Sequence, residues 1–312
     1  MNLLLTAIGS ASSIDALKSL QKQGHQVYGC DIYPKEWVYK ANRFADVFLV
    51  PSAKDGHAYV HSLLSLAKAH GIDMIIPLTD PECDVLCLHK ALFLAQGIRI
   101  ACQEPEVQSL CRNKLLLSQK LKNICTTIPS YTVAEEVALP FPIMFKPISG
   151  RSSQNQHIAY GDAEFVLYKS LYPDAMVQPF LPGNVYTVDC ARDVMGNTLC
   201  YARKELLRTG NGLGTTVECF SHHALEQICT QIVNELQIVG TVNIEFIEHG
   251  DVFYFLEINP RFSGGIGFSQ MGGCDFVNAH VEANKGNSIN TKQAKKHQIV
   301  AQGYKKAVYK NE

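Results

Sequence analysis

The opening third of the chain alternates short apolar runs with amphipathic stretches, and no other feature restricts the fold as tightly. "NLLLTAI" reads as a buried strand, "GSASS" as a small-residue turn and "SIDALKSLQKQG" as an amphipathic helix closed by Gly24. "HQVYGCD" is a second strand ending in Asp31; "ADVFLVP", "DMIIPL" and "GIRIAC" are three more, with the helix around "YVHSLLSLAKAHG" and a further helix between them. Strands joined through helices pair in parallel with right-handed crossovers. The expectation for residues 1–105 is therefore an α/β domain on a parallel sheet. At 312 residues the chain is too long for one ordinary core.

From Glu104 the texture changes. "EPEVQSLCRNKLLLSQKL" reads as a turn and a helix containing Lys114, and "TTIPSYTVAEEVALPFP" as a Pro-marked connection. "PIMFKPISGRSSQNQHIAY" reads as strand, loop, strand; "AMVQPFLPGNVYTVDCARD" as two strands around a Pro-interrupted crossover; "HHALEQICTQIVNELQ" as a helix. This is an α+β pattern, with no internal repeat.

Several function classes drop out. The first domain resembles a Rossmann-like half domain, but "AIGSASS" has one glycine where a dinucleotide fingerprint needs three, so an ordinary βα turn is the better reading. No GxxxxGK[ST] loop occurs. A net charge of −1 offers no field for nucleic acid or an anionic membrane. No run of 18 apolar residues is present, and the N-terminus reads as a strand, not a signal peptide. The eleven cysteines read as reduced, mostly buried thiols of a cytoplasmic protein. Cys83, Cys87 and His89 lack a second cluster at zinc spacing and read as structural.

The chemistry concentrates in "GTVNIEFIEHGDVFYFLEINPR". It reads as a hairpin, and the parity of its loop decides which side chains share a face. A three-residue loop at 250–252 sets Glu245 opposite Glu257 and Asn243 opposite Asn259, whereas a two-residue loop turns one glutamate away. Two facing carboxylates repel unless a cation lies between them. All-oxygen ligands favour Mg²⁺ or Mn²⁺, which complete their shell with water and substrate phosphates. Arg261, next in the row, suits a terminal phosphate. Lys146 ends an apolar strand before "PISGRSS", a small polar loop able to offer backbone N–H groups to phosphates.

In order, "NKLLLSQKL", "PIMFKPISGRSS", "VQPFLPGNVYTVD", "VNIEF" and "FLEINPRFSGG" resemble the ATP-grasp superfamily, in the branch around the carbamoyl-phosphate synthetase large subunit and single-module amino-acid ligases. The resemblance implies a two-lobed ATP-grasp domain over 106–290, with a small mobile lobe at about 125–180 and a C-terminal segment at 291–312. It implies that Lys114, Lys146, Gly150, Ser152 and Ser153 hold ATP phosphates and that Gln178, Pro179, Phe180 and Leu181 form the adenine hinge. It assigns two Mg²⁺ (or Mn²⁺) ions to Glu245, Glu257 and Asn259, and the phosphate side to Arg261. The implied reaction is phosphorylation of a carboxylate by ATP and displacement of phosphate by an amine, on small-molecule substrates; a homodimer is compatible with it. Arg203 is a candidate for the acceptor or the acyl phosphate, Arg208 for a Gly-rich cover, and Asp80 and Glu82 for binding an amine. Departures from the pattern are Gln178 and Pro179 at the hinge, Val185 where a ribose-binding glutamate is usual, and Arg151 in the phosphate loop. They keep open a non-catalytic ATP sensor, beside a kinase-like or carbamoyl-phosphate-type reaction.

Overall fold

The apolar run behind Met1 forms β1 (Asn2–Leu5), all but its first residue buried. It is followed by α1 (Ser13–Lys22), β2 (Gln26–Asp31), β3 (Val47–Leu49), α2 (Gly56–Ala69), β4 (Met74–Ile76), α3 (Asp80–Leu86), α4 (Lys90–Leu94) and β5 (Arg99–Ile100). The computed structural model describes residues 1–135, 138–150, 155–303 and 305–306. Its first sheet is parallel, in the order β3-β2-β1-β4-β5. The order reverses between β1 and β4, and ligands of open α/β sheets bind at such a switch point, beyond the carboxyl ends of the strands. The Asp31 carboxylate, at the end of β2, accepts from Gly9 N–H (2.8 Å) and Tyr33 N–H (3.1 Å).

The expected single helix around Lys114 is two helices, α5 (Pro105–Arg112) and α6 (Lys114–Leu121). Asn113 breaks them apart with extended backbone and caps α6, its side chain accepting from Leu116 N–H. Lys114 thus opens α6 instead of lying inside a helix.

A small sheet, β6-β9-β7-β8, comprises β6 (Tyr131–Thr132), β7 (Ile143–Pro147), β8 (His157–Ala159) and β9 (Ala175–Pro179), with α7 (Asp162–Leu171) in the chain between β8 and β9. Phe145 and Val177 belong to its own apolar cluster. The large sheet, β14-β13-β10-β11-β12-β15, contains β10 (Asn184–Arg192), β11 (Thr198–Arg208), β12 (Gly214–Phe220), β13 (Gly240–His249), β14 (Val252–Asn259) and β15 (Gln298–Ala301). α8 (His223–Glu235) packs through Leu225, Cys229, Ile232 and Val233 in the cluster beneath β10, β13 and β14.

Two short helices not read from the sequence, α9 (Ile266–Met271) and α10 (Phe276–Lys285), join the first domain to the large sheet. One core contains Leu3 and Leu5 of β1, Leu17 of α1, Tyr201 of β11 and Phe276 and Val277 of α10. His280 fastens this junction. Its Nδ1 accepts from Thr241 N–H (2.8 Å), and Nε2 reaches Ala101 O (3.1 Å). Burial drives its pKa from 6.5 down to about 4, since the charged ring would lose its water. A base depressed in this way contributes stability above pH 6.5 that is lost as pH falls toward 4. We expect His280 to cost the fold about 2 kcal/mol between pH 6.5 and pH 5. Urea unfolding of wild type and His280→Gln over that range measures this; equal slopes for both would refute it.

Candidate active site

β13 and β14 turn through Gly250 and Asp251, with φ of +56° and +61°. A two-residue turn with both central residues at positive φ matches strand twist, and the expected three-residue loop is absent. The expected pairs nevertheless form: Glu245 opposite Glu257 and Asn243 opposite Asn259. The parity is restored further down, because Phe246 pairs with Phe255 and Leu256 is an unpaired bulge residue. Phe255 and Ile258 enter the core with Ile244 and Phe246, while Leu256, Glu257 and Asn259 border cavities on the other face.

Glu257 and Glu245 begin a row that crosses the large sheet through Thr187 to Arg203. Asn259, Asn243 and Asp189 form the next row. Two cavities meet at this face. The smaller, about 220 Å³, lies between the two lobes and is bordered by Lys114, Lys146, the hinge residues Gln178, Pro179, Phe180 and Leu181, and Val185. The larger, about 410 Å³, is enclosed by Ser10–Ser12 and Thr79–Pro81 from the first sheet's switch point and by the large-sheet face. Glu245, Glu257 and Arg208 border both.

In the smaller cavity Lys146 is 7% exposed and makes no hydrogen bond or ion pair among the described residues. Burial lowers its pKa to about 8; Glu257 opposes that shift and Lys114 adds to it. Lys114 Nζ lies 3.0 Å from Glu257 Oε2 and donates to Gly150 O at 3.1 Å. Gly150 is thereby drawn toward Glu257, while Ser152 and Ser153 lie outside the described residues.

The two glutamates differ. Burial and its twin push Glu245 up to about 7. Burial also opposes charge on Glu257, but Lys114 and Lys146 outweigh it and its pKa is lowered. Arg208 pairs with Glu245 at 3.1 Å. Asn259 donates to Glu257 Oε1 and Asn243 Oδ1, both at 3.2 Å, and its own amide oxygen accepts nothing among the described residues. Two facing carboxylates that border both cavities and an amide oxygen that borders the larger suit a hard divalent cation.

Four candidates have protein partners of their own. Arg261 and Asp80 engage each other: Nε and Nη2 donate to Oδ1 and Oδ2, both at 2.9 Å. Asp80 therefore holds an arginine where an amine was expected. Glu82 faces neither cavity: its carboxylate closes the capping box of α3 with Thr79 and accepts from Tyr59 Oη at 3.0 Å. Arg203 borders the larger cavity but is 3% exposed and held by Asp189 (2.6 Å) and Glu205 (3.1 Å). Its replacement by alanine would leave two buried acids without their cation, a change typically costing about 3–5 kcal/mol.

Residues 172–307 match the family model described as ATP-grasp in the biosynthetic pathway with Ter operon, and residues 3–101 the one described as PylC-like, N-terminal domain. The ATP-grasp model thus matches the C-terminal part of the chain, less than half of its length. The fold shared with solved carboxylase structures extends over nearly all of it. Biotin carboxylase from Campylobacter jejuni, in its β,γ-ATP complex, superposes with a TM-score of 0.81 at 14% identity, covering 95% of this chain and 74% of that one. The biotin carboxylase domain dimer of Hydrogenobacter thermophilus 2-oxoglutarate carboxylase, with MgADP, ADP and bicarbonate, gives 0.80 at 15% identity, covering 95% and 73%. The large chain of carbamoyl phosphate synthase from Agathobacter rectalis is 26% identical over 145 residues, 42% of this chain and only 13% of that protein's length.

Further polar residues of the candidate site were not singled out from sequence. Asp189 stands in "VYTVD", alternating with Val185 and Thr187, and its face follows once β10 is paired with β13. Glu205 and Ser263 border the larger cavity without a sequence signal of their own. Among the described residues no group of three His, Cys, Asp or Glu could hold a metal, and Cys83 and Cys87 are buried free thiols. No helix among them is long and apolar enough to cross a membrane.

Proposed function

We propose that this ATP-grasp protein is an ATP-dependent carboxylate–amine ligase that works through an acyl phosphate and releases ADP and phosphate. One observation carries the reading: the cavity bearing unpaired Lys146 and the cavity bearing Arg203 meet at Glu245 and Glu257. A phosphoryl group passing from a nucleotide to an acceptor must cross such a junction. Support comes also from the ATP-grasp and carbamoyl phosphate synthase matches.

In this mechanism Lys146 and Lys114 hold the nucleotide phosphates, with Gly150, Ser152 and Ser153 closing over them and Gln178, Pro179, Phe180 and Leu181 receiving adenine. Glu245, Glu257 and Asn259 would hold Mg²⁺ or Mn²⁺, in two ions, which neutralise charge on the transferring phosphoryl group. Lys114 and Arg208, which neutralise the two glutamates in the ligand-free protein, turn to the phosphates. Arg261, fixed by Asp80, faces the acyl phosphate in the larger cavity. The substrates are a small-molecule carboxylate and an amine. We assign 1–105 to the first domain, 106–290 to the ATP-grasp domain with a closing lobe at about 125–180, and 291–312 to a C-terminal segment. We read the protein as a cytoplasmic homodimer, the dimer resting on the carboxylase domain dimer among its structural relatives.

ADP release, with product detected by mass, over a matrix of amino acids, other carboxylates and amines tests this. Turnover requiring one carboxylate and one amine is expected. ATP binding without ADP release under every combination would favour the sensor reading, which the hinge and Val185 motivate. Hydrogen exchange gives a second check: the Gly150 amide should gain protection when ATP and Mg²⁺ are added. Equal protection with and without them would remove the closing phosphate loop from the mechanism.

A further inference from the structure

The floor of the larger cavity carries more acid than base. Elsewhere on its walls the ion pairs balance: Arg261 with Asp80 and Arg208 with Glu245. At Arg203 they do not. Its Nη1 donates to Asp189 Oδ2 at 2.6 Å and its Nε to Glu205 Oε1 at 3.1 Å. Asp189 is fully buried and the Glu205 side chain is 3% exposed. Two acids therefore share one guanidinium out of water, where a surplus charge is strongly disfavoured.

The surplus coincides with unsatisfied atoms. Glu205 Oε1 is used twice, by Arg203 and by Thr187 Oγ1 at 2.8 Å, while Oε2 accepts nothing among the described residues. Asp189 Oδ1 and Ser263 Oγ are likewise unpartnered and buried. Ser263, 4% exposed and on the loop after β14, borders the same cavity as Glu205. Buried acceptors of this kind call for donors, and the surplus acid calls for a positive charge. A primary ammonium supplies both, with three N–H groups on one cation. A metal ion fits worse, since both acids already share the Arg203 guanidinium and the third group is a hydroxyl.

The sheet sets the distance to the reaction. Glu205 lies on β11, two strands from Glu245 on β13, with β10 between. Strands are about 4.8 Å apart and Glu205 stands two residues beyond Arg203, which shares Glu245's row, so roughly 12 Å separates the two backbones. A small substrate bridges that span, with its reacting end at the glutamate pair and its ammonium at Glu205.

We propose that Glu205, backed by the charge of Asp189 and joined by Ser263, is the binding site for a primary ammonium group, so that the larger cavity takes an amine-bearing substrate such as an amino acid. This deepens the ligase reading and rests on it only in calling the ammonium a substrate's. Oε2 lies against Gly214, where a Cβ would come within 1.8 Å of it. Gly214 borders the cavity together with Asn211, Gly212 and Leu213, so this turn must yield before the ammonium meets that oxygen.

The probe is methylammonium chloride, compared with sodium chloride at equal ionic strength, by thermal unfolding of the full chain without nucleotide or Mg²⁺. The wild type is expected to gain about 2 °C or more in Tm from methylammonium over sodium. Glu205→Gln keeps an oxygen for Arg203 and Thr187 and removes the surplus charge, so it should gain nothing. Identical Tm in the two salts for wild type, or an undiminished gain in Glu205→Gln, overturns the proposal. Should Glu205→Gln fail to fold, the wild-type comparison decides alone. ATP is absent throughout, so a failure of nucleotide binding would sink the ligase reading and leave this result standing.

Discussion

Glu257→Gln should lower Mg²⁺-dependent ADP release at least about 100-fold, because it deletes one of the two negative charges that hold the cation against the phosphates. The side chain keeps its shape, and Phe255 and Ile258 keep their places in the core beneath it. Lys114 loses its partner at 3.0 Å but retains Gly150 O at 3.1 Å, so loss of fold is not expected. The effect on Glu245 is the more telling one. With its twin neutral, one cause of its raised pKa disappears. ADP release should be followed at limiting and saturating Mg²⁺, beside a thermal melt. Wild-type turnover at both concentrations would end the assignment of Glu257 as a metal ligand.

Lys146→Met should have two large effects of opposite sign. The ammonium is buried, unpartnered among the described residues, and depressed from 10.5 to about 8. For a base so depressed, the charged form costs stability at every pH below 8, and the cost fades as pH rises from 8 to 10.5. Its size at pH 7 is roughly 3 kcal/mol. Methionine retains much of the apolar stem and removes the charge, so the free protein should become more stable by up to that amount. ATP should bind at least about 100-fold more weakly, as a charged hydrogen bond to phosphate and its Coulomb attraction are both lost. Urea unfolding at pH 7 and pH 10 and calorimetry with ATP give the two readouts. A variant that is less stable and binds ATP normally would mean that Lys146 is a structural residue.

The parallel sheet was legible because buried parallel strands are near-continuous apolar runs, as in "NLLL" and "MII". The Glu245–Glu257 pair was reached by counting on a three-residue loop that is absent, and it forms because the bulge at Leu256 supplies the missing count. What failed was geometry that depends on partners. Arg261 and Asp80 are 181 residues apart, and nothing local announces that one occupies the other. Glu82 sits in the same "TDPE" as Asp80, yet Thr79 and Tyr59 turn it inward. The break at Asn113 was a capping signal inside an apparently continuous helical run, and it is what brings Lys114 to the phosphate loop. Arg203 read as a candidate for the acceptor or the acyl phosphate; it is a buried pier held by Asp189 and Glu205, of which Glu205 borders the cavity.

The bulge at Leu256 makes β14 two half-strands out of phase by one. Phe253, Phe255, Glu257 and Asn259 are all odd-numbered, and plain counting would send them to one face; the first pair packs on the core side and the second faces the cavities. Leu256 is the surplus count. Cut it out, and Phe246 still meets Phe255, Glu245 still meets Glu257, and the ladder runs on without a step. Cut out Ile258 instead, and Asn259 and the chain beyond it exchange sides. Shortening at Leu256 therefore gives up the apolar side chain that borders the smaller cavity while the acid row keeps its place.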